Sequence, residues 1–159
     1  MERGSWGEFM ELLATAELVC TDKESITWAH LCNTAGCVEY ERGNAARAYP
    51  FMEKSLEIRK RLLSPDDLEL SDAYNNYANL LVTNSQSLDS LEEALKLYLK
   101  AAAIDERVPG GDKVLHIRYI NIGAVYTFQG KYDIASDTYE LARKYALQTF
   151  GEGCHFVGR

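Results

Sequence analysis

The stretch Tyr119-Ile120-Asn121-Ile122-Gly123-Ala124-Val125-Tyr126, followed by Gly130, Ala135, Tyr139 and Ala142, decides how this chain reads. Counted from Gly123, the later positions fall at seven, twelve, sixteen and nineteen residues. Gly36, Gly43, Ala48, Met52 and Ser55 repeat the same offsets. A third copy is centred on Ala78, with Ala94, Tyr98 and Ala101 delayed by four residues. Small side chains at fixed helical spacing mark places where two helices come close, and a chain that repeats such a template reads as a stack of helix pairs. Gly36, Ala48, Ala78, Ala94, Gly123 and Ala135 form the expected structural seam. A large side chain at any of them would push the axes beyond the usual separation of about 8–10 Å. Glycine in a helix interior costs about 1 kcal/mol against alanine, and close packing offsets that cost. The stack points to a scaffold for other proteins and away from a catalyst.

Working outward, apolar residues at helical spacing (Trp6, Phe9, Met10, Leu13, Ala16) predict a leading helix over 5–20. Thr21 or Asp22, with Glu24 behind, offers a cap for the next helix. That helix and its partner form a first repeat over 23–63, turning at Gly43-Asn44. Ser64-Pro65-Asp66-Asp67 separates it from a second repeat over 67–107. Pro109-Gly110-Gly111 is the sharpest break, and Asp112 is the expected cap of a third repeat over 112–149. Residues 150–159 read as a flexible tail. The chain is thus expected to be all-α, about seven helices in a single domain over 1–159.

Tyr119 to Tyr126 with Gly130-Lys131-Tyr132 and Ala135-x-x-x-Tyr139 resembles the tetratricopeptide repeat: an aromatic, then Gly, then Tyr, then Ala with an aromatic four later. Tyr74 to Leu81 with Ala94-x-x-x-Tyr98 and Ala101 is a second match, with Ala78 in place of Gly. The copy at Gly36 is weaker, with Cys32 for the aromatic and Glu39 for the Tyr. Gly36 to Ala78 spans 42 residues and Ala78 to Gly123 spans 45, longer than the common period of about 34. This is similar to the kinesin-light-chain type and to arrays in fungal and bacterial signalling proteins, a likeness strengthened by Ser55-Leu56-Glu57-Ile58-Arg59-Lys60-Arg61-Leu62-Leu63. The resemblance implies a right-handed α-solenoid of antiparallel helix pairs.

It also implies a concave groove lined by the first helix of each pair. The expected partner-binding residues are His30, Asn33 and Tyr40, then Asn76, Asn79 and Thr83, then Asn121 and Phe128. Cys37, Asp72, Asn75, Ile117 and Ala124 lie beside them. An asparagine donates and accepts at once, so a row of them can hold a peptide backbone. The same asparagines can instead bond between neighbouring helices. Some relatives clamp a chaperone's C-terminal carboxylate with inward Lys or Arg. Asn33 and Ile117 stand where such cations would be expected, and Arg118 is read as pointing elsewhere. The run Arg59-Lys60-Arg61 reads as a solvated helix end, where cations favour the dipole.

The 159 residues are 47% hydrophobic and 26% charged, with a net charge of -7. That charge disfavours nucleic acid and anionic membranes as partners. No apolar run nears the roughly 20 residues of a spanning helix, and the start lacks a signal core, so a cytoplasmic, intracellular setting is expected. Cys20, Cys32, Cys37 and Cys154 read as reduced thiols, inert or buried. Cys154-His155 lies in the Gly-rich tail. No Gly-Lys-Ser/Thr phosphate loop is present, and no nucleophile motif surrounds His30, His116 or His155. No catalytic residue, cofactor or metal is expected. A protein or peptide partner of unspecified identity is the first reading. The alternative is a self-associating assembly or sensor arm, a homo-oligomer joined through exposed solenoid ends. It rests on Ile134, Tyr139, Ala142, Tyr145 and Leu147, which would have no following helix to cover them.

Overall fold

Three helix starts in this chain are set by short polar side chains, Ser25, Asp67 and Ser87. The computed structural model describes residues 18–84 and 87–151, together with Gly7, Glu11, Ala14 and Thr15. Helix α1 spans Ile26–Glu41, and Ser25 caps it by accepting the Trp28 amide proton at 3.2 Å. The cap expected at Thr21 or Asp22 is therefore displaced. Asp22 organises the preceding turn instead, accepting from the Glu24 amide at 2.9 Å and, at its carbonyl, from the Ser25 hydroxyl at 2.8 Å. Helix α2 spans Ala45–Leu62. Between them Gly43 has φ +77°, a geometry that costs glycine no Cβ clash. Buried Glu39 closes the turn, accepting from Asn44 Nδ2 at 2.9 Å and Arg42 Nη1 at 3.1 Å.

Helix α3 (Leu68–Thr83) is capped by Asp67, and helix α4 (Leu88–Arg107) by Ser87. Gly110, at φ +91°, then turns the chain into a 3₁₀ segment, Gly111–Val114. Helix α5 (Leu115–Phe128) starts directly from it without a side-chain cap, so Asp112 lies inside the 3₁₀ turn and does not cap as expected. The reason is a close approach. A Cβ on Gly111 would sit 2.3 Å from the Asp105 carbonyl oxygen and 2.6 Å from its Cα. Helix α6 covers Tyr132–Phe150. The leading helix over 5–20 lies mostly outside the described residues; of those described within it, all but Cys20 are helical. The tail from 152 onward also lies outside them.

The chain divides into two compact units, 1–62 and 63–159. In the first, α1 and α2 run antiparallel. The Ser55 hydroxyl donates to the Ala29 carbonyl at 2.8 Å, while the far end of the pair brings Gly36 against Met52 and Ala48. Trp28, Ala29, Cys32 and Ile58 form the core, with Ile26, Leu31 and Phe51 packed on it. Glu24 bridges Lys54 at 2.7 Å and Arg61 at 2.6 Å. Arg59 departs from the solvated end expected for its run: it is buried, with Nη1 donating to the Ala29 carbonyl at 3.1 Å and to the Ser55 hydroxyl. Only Lys60 and Arg61 of the run are exposed.

In the second unit α3 pairs antiparallel with α4, and α5 with α6. Ala78 and Ala94 are fully buried, and the Ser71 hydroxyl donates to the Ala101 carbonyl at 3.1 Å. Gly123 receives the Tyr139 ring, 2.7 Å from where a Cβ would be. Tyr119 stacks on Tyr145 with centroids 5.4 Å apart, and its hydroxyl donates to Glu106. Burial, aided by that carboxylate, holds the Tyr119 phenol far above the usual tyrosine range. The uncovered stripe expected on α6 is covered in part: Ala142 is buried and Tyr145 stacks on α5, while Tyr139 rests on Gly123 yet stays 39% exposed. Ile134 remains exposed, and the outward side presents Asp137, Glu140, Arg143, Lys144 and Gln148.

Candidate partner-binding face

Helices α3 and α5, the first members of their pairs, lie side by side and run in the same direction. Asp72 meets Arg118 near their starts, and Asn75 and Asn79 meet Asn121 one turn on. Asn121 donates through Nδ2 to Asn75 Oδ1 at 2.9 Å and to Asn79 Oδ1 at 3.4 Å. The Asn79 oxygen also accepts the Tyr98 hydroxyl at 2.6 Å. Asn75, which the sequence could not separate from Asn76, is the buried partner. The asparagines therefore do tie neighbouring helices. These bonds leave the Asn121 side-chain oxygen and the Asn79 amide nitrogen uncommitted among the described residues.

Beneath the asparagines lies a charge network that local sequence reading does not find. Arg118 is 4% exposed. Its Nε donates to Asp105 Oδ2 at 2.7 Å, and its Nη2 donates to Asp72 Oδ1 at 2.5 Å and reaches Ser71 Oγ at 3.5 Å. Asp105, on α4, is 1% exposed, whereas the Asp72 side chain is 65% exposed. A buried guanidinium needs such partners, because removing a charge from water costs several kcal/mol. Two carboxylates meet one guanidinium, so the network keeps one surplus negative charge, and its open end is Asp72.

On either side of Asn121, α5 exposes an apolar side chain. Phe128 is two helical turns beyond Asn121, within about 20° of it around the helix, and Ile117 is one turn before it, within about 40°. They are 64% and 43% exposed. Thr83 is exposed and Asn76 half-buried on α3. The other expected groove residues belong to α1, in the first unit: His30 is exposed, with Nδ1 3.1 Å from Arg59 Nη2, Asn33 donates weakly to Cys37 Sγ at 3.9 Å, and Tyr40 is half-buried. Burial pushes the Cys37 thiol up, away from reactivity. Among the described residues no three His, Cys, Asp or Glu side chains group to hold a metal, and no helix is long and apolar enough to cross a membrane.

Comparison with known proteins bears on this architecture. Two family models described as tetratricopeptide repeat match residues 28–69 and 81–148. Among solved structures, BtubC (BKLC) from P. vanneervenii is 22% identical with a TM-score of 0.78, over 92% of this chain and 59% of that one. This chain thus spans about three fifths of that protein's length. A Podosopora anserina protein of kinesin-light-chain description, with nearly identical TPR-like repeats, is 12% identical with a TM-score of 0.59, over 93% and 88% of the two chains. No curated protein matches the chain in sequence. Repeats of this kind generally mediate contacts between proteins. With its Gly and Ala seams, its long period and its stacked helix pairs, the chain belongs to the tetratricopeptide repeat family.

Proposed function

We propose that this chain is a non-catalytic protein-interaction module that holds a peptide or partner helix along the face shared by α3 and α5. The observation that carries this reading is the arrangement there: a level pair of asparagines, Asn79 and Asn121, flanked by exposed Phe128 and Ile117. An extended backbone alternates donors and acceptors, which an amide pair can meet at once. Exposed aromatic and aliphatic side chains next to it supply the apolar contact that carries most binding energy at interfaces. Phe128 is the better probe, because the asparagines also tie helices together. The Phe128→Ala variant is expected to keep the wild-type helicity and melting temperature and to lose the proteins captured by the wild-type chain in a pull-down. An unchanged capture profile would reject this face.

A further inference from the structure

Charge is sorted between the two kinds of helix. The first helices α1, α3 and α5 carry Glu39, Glu41, Glu69 and Asp72 against a single cation, Arg118. The second helices α2, α4 and α6 carry ten Lys and Arg against ten Asp and Glu. Arg118 is buried and already engaged by two carboxylates, so the α3 and α5 face presents no exposed Lys or Arg from either helix. The exposed charges that α3 and α5 present are the carboxylates of Asp72, 65% exposed, and Glu69 one turn before it. A carboxylate ligand arriving here would meet repulsion and no free donor cation. An arriving ammonium or guanidinium would neutralise the surplus negative charge of the Arg118 network.

Resting on the reading that this face holds a peptide, we infer that its occupant is a basic, extended segment. One Lys or Arg of that segment pairs with Asp72, its backbone bonds Asn79 and Asn121, and an apolar side chain packs on Phe128. Arg118, level with Asp72, lies ten residues before Phe128 on α5, which is about 15 Å along the axis. An extended chain advances about 3.3 Å per residue, so the cation and the apolar anchor stand four or five residues apart in the partner.

The test pans a displayed library of random dodecapeptides on the full chain, then measures the enriched peptides against Asp72→Asn and Phe128→Ala. The expected result is enrichment of Lys or Arg four or five residues from an aromatic or large aliphatic residue. Binding should weaken about two- to fivefold in Asp72→Asn, as for an exposed ion pair, and at least about tenfold in Phe128→Ala. It should also weaken as salt rises. Enrichment of acidic or uncharged peptides that still require Phe128 would overturn the basic occupant while keeping the face. Peptides that bind both variants as they bind wild type, or a library with no enrichment, would overturn both.

Discussion

Two of the described arginines, Arg59 and Arg118, are buried, and each ties different elements together. Arg59, in the first unit, donates to neutral acceptors of its own helix pair, the Ala29 carbonyl and the Ser55 hydroxyl. Arg118, in the second unit, is matched by charge, with Asp105 from the preceding pair and Asp72 from the neighbouring first helix. The two sites are related by the repeat. Arg59 stands eleven residues after Ala48, and Asp105 stands eleven after Ala94, so one buried position holds a cation in the first pair and an anion in the second. The third pair places Ala146 there, also buried. The repeat template therefore dictates where a side chain is buried, and different residue types fill that position in the three pairs. Arg59 fastens α1 to α2; Arg118 fastens α3, α4 and α5 in one register.

That contrast breaks most visibly under substitution. Arg118→Met leaves Asp105 buried without its counter-ion and is expected to cost about 3–5 kcal/mol, read from urea unfolding. Adding Asp105→Leu should restore most of the loss, because two apolar side chains replace the pair. Arg59→Met removes the bonds to the Ala29 carbonyl and the Ser55 hydroxyl and should cost about 1–2 kcal/mol. Equal losses at the two sites would dissolve the distinction.

The register claim has its own probe at the end of α4. In Gly111→Ala the new methyl meets the Asp105 backbone, which cannot swing aside as a side chain can. A loss of about 1–3 kcal/mol is expected, with Asp105 displaced from Arg118. Wild-type stability would mean that the 3₁₀ turn does not position the buried acid.

The smallest effect concerns pH. His116 packs edge-on against Phe150 at 5.0 Å, and burial lowers its pKa from the ordinary 6.5. The unfolded chain therefore takes up this proton first as pH falls. Stability should drop as pH goes below about 6.5, and the drop should level off below the folded value. His116→Phe should flatten that part of a melting-temperature profile; an unchanged slope would assign it elsewhere.

Helix positions were legible from local spacing. Gly36, Ala78 and Gly123 mark close contacts between paired helices. Two caps were misplaced. Ser25 outcompetes Asp22 because it immediately precedes Ile26, and Gly111 draws a 3₁₀ turn onto α4 before α5 begins. The buried charges were not legible. Arg59 sits in a basic run that looks solvated, and Arg118 and Asp105 are thirteen residues apart on different helices. Charged side chains are almost never buried unless paired, and the pairing here exists only once the helices are stacked. Asn121 was visible as a candidate, but its partner Asn75 was chosen over Asn76 by rotation of α3.

Hydrogen exchange of the full chain, with and without a partner captured by pull-down, tests the assigned face most directly. The account predicts slowed exchange in segments 72–83 and 117–128, with the outer residues 136–148 of α6 unchanged. Slowing confined to α6, with both first-helix segments unaffected, would contradict it.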